Sequence, residues 1–83
     1  MTERKEEKVD NQYLKRFGTR LKELKKESGL SYRKIATNCD IDYANIKMYE
    51  KGETNVRLLT IAELAKGYGK HPKKMLEFDW GDE

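Results

Sequence analysis

The chain has one cysteine, one histidine, one proline and one tryptophan in 83 residues. A single cysteine, Cys39, excludes an internal disulfide, so the sequence reads as a reduced, cytoplasmic protein. One histidine, His71, beside one cysteine leaves little for a metal site or a nucleophile–base pair, which argues against an enzyme. No catalytic residue, metal ligand or cofactor is therefore assigned; His71 reads as a helix-end residue and Cys39 as a buried small hydrophobe. Long apolar runs are also missing. None approaches the ~20 residues that cross a bilayer, so no membrane partner is expected. Residues 1–10 are polar and highly charged, without the apolar stretch of a secretion signal. Nowhere does a run alternate apolar and polar residues with the β-branched types of a strand. Internal repeats and low-complexity tracts are absent as well.

What the chain does have is charge. Charged residues make up 40% and hydrophobic ones 36%, with a formal net charge of +3. The distribution is uneven. Residues 77–83 carry four acids and no base, which leaves 1–76 with 18 basic and 11 acidic residues, a net +7. A body of that charge suits a polyanion such as DNA, although a merely solvated surface has the same arithmetic. A domain this short buries only ~60% of its unfolded surface, so its core must be small.

Helical periodicity organises 11–76, between a polar arm at 1–10 and an acidic tail at 77–83. Tyr13, Leu14, Phe17, Leu21 and Leu24 recur three or four apart and predict a first helix over about 11–28. Asp10 is its expected N-cap and Gly29 its stop. Ser31 caps a second helix over about 32–38, with Ile35, Ala36 and Cys39 inward. Asp42 caps a third over about 43–50, with Ile46 and Tyr49 inward. Only a short turn, 38–41, joins these two helices, which is the helix-turn-helix arrangement. A loop at 51–56 leads to a fourth helix over about 58–67, with Leu58, Ile61, Leu64 and Ala65 inward. Pro72 opens a last short helix, and Met75, Leu76 and Phe78 close the core.

The ordered set of residues 17–31 (Phe-Gly-Thr-Arg-Leu-Lys-Glu-Leu-Lys-Lys-Glu-Ser-Gly-Leu-Ser), Ile35-Ala36, Ile46, Glu50-x-Gly52 and Leu64-Ala65 resembles the lambda-repressor-like, Xre/Cro-type helix-turn-helix family over about 13–76. The expected fold is an all-α, compact five-helix domain of that kind. The resemblance implies that the third helix enters the major groove of double-stranded DNA and reads bases. Its outward positions are Tyr43, Ala44, Lys47 and Met48, the base-contact candidates. Ala44 suits a thymine methyl, and Lys47 suits guanine or a phosphate. Packing or plain solvation is the competing role for each. Phosphate contacts are expected from Ser31, Tyr32 and Arg33 at the start of the second helix, where N–H groups are free. Asn45, and Lys51, Asn55 and Arg57 around the following loop, complete the set.

Lys25 occupies a position where the family often has a base, and a Lys25–Glu50 ion pair is expected to hold the third helix. Gly18 inside the first helix implies close approach of another helix. Three positions depart from the family pattern: Tyr32 stands for Gln, Asp40 for Gly and Val56 for Pro. If Asp40 is left-handed, Asp40→Gly should raise stability. The function expected is a small transcriptional regulator, most simply a repressor, that binds DNA as a homodimer. Met75, Phe78 and Trp80 either supply the dimer patch or fold back, with Trp80 covering the first helix. The alternative is an antitoxin-like interaction module that binds a partner protein, with or without DNA.

Overall fold

The structure, a computed structural model, describes residues 10–81. Residues 1–9 of the expected arm at 1–10 and the last two residues of the acidic tail lie outside the described residues. Five helices follow in order: α1 (Gln12–Ser28), α2 (Tyr32–Thr37), α3 (Tyr43–Lys51), α4 (Leu58–Tyr68) and α5 (Pro72–Met75). No strand occurs among the described residues.

Three of the five helices, α1, α2 and α5, begin where a side chain accepts one of the first N–H groups. For α1 that residue is Asn11, not Asp10. Its extended backbone lets Oδ1 accept the Tyr13 N–H at 2.7 Å. Asp10 lies one residue too early and instead meets the Lys15 ammonium at 3.9 Å. Ser31 caps α2 as expected by accepting the Lys34 N–H at 3.1 Å. Asp42 holds the N-cap position of α3, but its side chain makes no capping hydrogen bond. At α5, His71 Nδ1 accepts the Lys73 N–H at 3.1 Å just before Pro72.

Phe17, Leu21, Leu24, Ile35, Ile46, Leu64, Ala65, Tyr68 and Met75 form the buried core. Every helix contributes to it, and each fully buried large apolar side chain is worth about 1.5–3 kcal/mol relative to exposure. Gly18 explains how α1 and α3 come together. A Cβ there would fall on the Glu50 carbonyl oxygen of α3. Gly52 ends α3 with φ +74°, and a side chain on it would run into the α1 backbone at Lys15. Gly67 plays the same part between α4 and α2, against Ile35 and Cys39. Cys39 is half-buried, with its thiol pointing to the Ile35 carbonyl at 3.3 Å. Burial pushes its pKa above the usual thiol value.

Two further expectations about the fold are corrected. Leu58 is not inward; it is 77% exposed and its neighbour Leu59 78%. The inward stripe of α4 starts a turn later and runs on to Tyr68. Asp40 is not left-handed, since no described non-glycine residue has positive φ. The turn is instead pinned from α4, because Glu63 Oε1 accepts the Asp40 N–H at 3.1 Å. Lys66, 2.9 Å from the same carboxylate, and that N–H hold Glu63 below the ordinary carboxylate range. Of the two roles left open for Met75, Phe78 and Trp80, folding back onto the first helix is the one observed, with Trp80 still 41% exposed. Met75 is buried, while Phe78 stacks on Trp80 at 4.4 Å between centroids. Trp80 leans on Tyr13 of α1, and Arg16 donates to the Asp79 carbonyl at 2.8 Å.

Candidate nucleic-acid interface

Two anchors decide which side of α3 faces out. Ile46 is fully buried and Glu50, one turn later, is 6% exposed. Residues four apart share a helix face, so this pair turns the opposite side toward solvent. Tyr43, at the start of α3, and Ala44, Asn45, Lys47 and Lys51 are exposed. Met48 is half-buried rather than fully outward. Tyr43 keeps 44% of its surface exposed, consistent with a ring available to a ligand.

Beside α3 lies the start of α2. Ser31, Tyr32, Arg33, Tyr43 and Lys47 line a depression of about 290 Å³ between them. Ser31 and Arg33 are exposed, as are Asn55 and Arg57 in the segment after α3. The first N–H groups of α2 have no i−4 acceptor within the helix. The structure thus gathers Ser31, Arg33, Tyr43 and Lys47 into one place, with Lys51, Asn55 and Arg57 at and beyond the far end of α3.

The support beneath this surface differs from the expected ion pair. Lys25 and Glu50 do not pair. The Glu50 carboxylate accepts the Tyr32 hydroxyl at 2.6 Å and the Tyr68 hydroxyl at 3.5 Å. Lys25 lies over the face of the Tyr32 ring, 4.5 Å from its centroid, as a cation–π contact. A tyrosine at 32, where the family resemblance expects glutamine, is long enough to reach the carboxylate and takes the place that Lys25 was expected to fill. Its hydroxyl donates to Glu50, and this bond, then burial, pushes the Tyr32 pKa up to about 12. Burial first, then the negative charge of Glu50, pushes Tyr68 up as well.

Tyr68 is the residue that sequence reasoning missed. Its signal was present: it extends the Leu64-Ala65 stripe by one turn, to the end of α4. What it donates to, 18 residues away, had no local signature.

No described cluster of three or more His, Cys, Asp or Glu residues is arranged to hold a metal ion. Among the described residues no helix is long and apolar enough to cross a membrane.

Comparison with known proteins bears on this arrangement. A helix-turn-helix domain family matches residues 16–77. Control protein C.BamHI of Bacillus amyloliquefaciens is 33% identical over 63 residues, covering 75% of this chain and 78% of that protein. Control protein C.MunI of a Mycoplasma species is 36% identical over 55 residues, covering 65% and 74%. The crystal structure of the restriction-modification controller protein C.AhdI from Aeromonas hydrophila superposes with a TM-score of 0.72 at 32% identity. That match covers 78% of this chain and 98% of C.AhdI.

Proposed function

Because the chain belongs to the helix-turn-helix domain family matched over residues 16–77, we propose that it is a sequence-specific double-stranded DNA-binding transcriptional regulator with α3 as its reading helix. The observation that carries this is the outward side of α3, left exposed while Ile46 and Glu50, with Tyr49 beside them, face the core. In this reading Tyr43, Ala44 and Lys47 meet base edges and Met48 adds an apolar contact. Ser31, Arg33, Asn45, Lys51, Asn55 and Arg57 meet the sugar-phosphate backbone. Tyr32 contributes its main-chain N–H, because its hydroxyl is committed to Glu50. The similarity to control proteins supports a regulator rather than an enzyme, and the likeness to the restriction-modification controller protein C.AhdI extends the reading to control of a restriction–modification system.

One such domain contacts few base pairs, so specific binding calls for two copies on half-sites about one helical turn, ~34 Å, apart. The body measures 35 × 31 × 18 Å, a width that suits two copies side by side at that spacing. Leu58 and Leu59 are the large apolar side chains that α4 leaves uncovered, and they are the proposed contact between copies.

Selection of bound duplexes from a random pool tests the proposal. Two copies of a short sequence about one turn apart are expected. Affinity should fall with salt at a log–log slope of about −0.9 per phosphate contacted. No enriched sequence, with a flat salt response, would favour a role confined to protein partners.

A further inference from the structure

The Tyr32 ring carries more than a packing duty. Tyr32 opens α2, yet its side chain is tied to two other helices. Its hydroxyl is fixed to the buried Glu50 carboxylate of α3, and its ring face is held by Lys25 of α1. The same ring lies 5.6 Å from the Lys47 ammonium, which is also 5.8 Å from the Tyr43 ring. Lys47 makes no ion pair among the described residues. The distinction matters chemically. A carboxylate would take up both the charge and the N–H donors of an ammonium group. An aromatic face attracts the cation through its quadrupole and leaves the donors free for another acceptor.

We infer that Tyr32 is a positioning residue for Lys47: its anchored ring holds the ammonium at the mouth of the α2–α3 depression, so discrimination at the base pair Lys47 meets depends on that ring. The chemistry that would receive the ammonium is the paired O6 and N7 acceptors of guanine in the major groove. The inference rests on the DNA-binding function proposed above.

Two variants separate the ring from the hydroxyl. Tyr32→Leu removes the π face, and Tyr32→Phe keeps it while removing the bond to Glu50. Binding is measured on the selected duplex and on duplexes changed at each position in turn. Tyr32→Leu should reduce discrimination roughly two- to fivefold, the size of an exposed cation–π contact. The loss should fall at the one position that Lys47→Ala also relaxes, and should vanish in the Lys47→Ala background. Tyr32→Phe should melt at a lower temperature yet keep the base profile. A uniform loss of affinity for all duplexes in Tyr32→Leu, with the profile unchanged, would overturn the inference. Wild-type protein with no preference for any duplex would instead remove the DNA reading itself.

A DNA-free readout keeps the two apart. NMR relaxation of the Lys47 methylenes should show more restraint than at exposed Lys34 in the wild type and in Tyr32→Phe, and free motion in Tyr32→Leu. Equal mobility of Lys47 and Lys34 in the wild type would sink the inference whatever the DNA data show, and that comparison needs no variant to fold.

Discussion

Gly18→Ala puts the α1–α3 contact under direct test. In an ordinary exposed helix this change would stabilise the fold by about 1 kcal/mol, because glycine is the poorer helix former. Here the added methyl meets backbone. It would overlap the Glu50 carbonyl oxygen, and come within 3.0 Å of the Glu50 carbonyl carbon and 3.2 Å of the Gly52 nitrogen. No rotamer change can relieve that clash; α1 and α3 must separate. Overpacking of this kind costs about 1–3 kcal/mol, and a rigid neighbour argues for the upper end. After the propensity gain, a net loss of about 2 kcal/mol remains. In a domain of this size each kcal/mol moves the midpoint by about 4–8 °C, so Tm should fall by roughly 8–16 °C. Far-UV circular dichroism melting measures it, and urea titration with an unchanged m-value would place the loss in the native state. Affinity for the selected duplex should drop as well, since the displaced segment is the C-terminal turn of α3. An unchanged or higher Tm would show that helix propensity wins and that the two helices are not held this tightly.

Alkaline pH provides a second test. The Tyr32 pKa is raised to about 12 and that of Tyr68 is raised too, so both neutral phenols are favoured in the folded protein. Their contribution is complete below the ordinary tyrosine value of about 10 and is lost as pH climbs through the folded value. The urea midpoint should therefore decline above about pH 10, less steeply in Tyr32→Phe; a midpoint independent of pH there would contradict the Glu50 cluster. Asp40→Gly should lower rather than raise stability, by up to ~1 kcal/mol, because the backbone at Asp40 is not left-handed and glycine only loosens the unfolded chain. A higher melting temperature would reinstate the left-handed turn. Leu58→Ser combined with Leu59→Ser should convert dimers to monomers in sedimentation velocity with little change in the fold, since both side chains are already exposed. Dimers that persist would move the contact elsewhere.

Local pattern reached far into this protein. The Phe17, Leu21, Leu24 stripe, the Ser31 cap and the short connection from α2 to α3 are all set by neighbours within a few residues, and each is where the spacing put it. Gly18 announced a close approach, and the partner proved to be the α3 backbone. Misreadings cluster where a distant group decides. Leu58 has the composition of an inward residue but sits before the stripe of α4 turns toward the core. Asp40 was judged by its own backbone preference, whereas Glu63, 23 residues on, pins the turn. The choice between the two roles left open for Trp80 was also made at a distance, since it folds onto Tyr13 of α1.

The sequence by itself determined five helices, the order in which they occur and the outward side of the third, because hydrophobic period, capping and turn length are short-range properties. Only the tertiary structure decided what that third helix stands on. A buried carboxylate must find donors wherever the packed fold brings them, and Glu50 found two tyrosine hydroxyls from α2 and α4 in place of the lysine expected from α1. Which donor arrives is a matter of three-dimensional reach, and no periodicity along the chain encodes it.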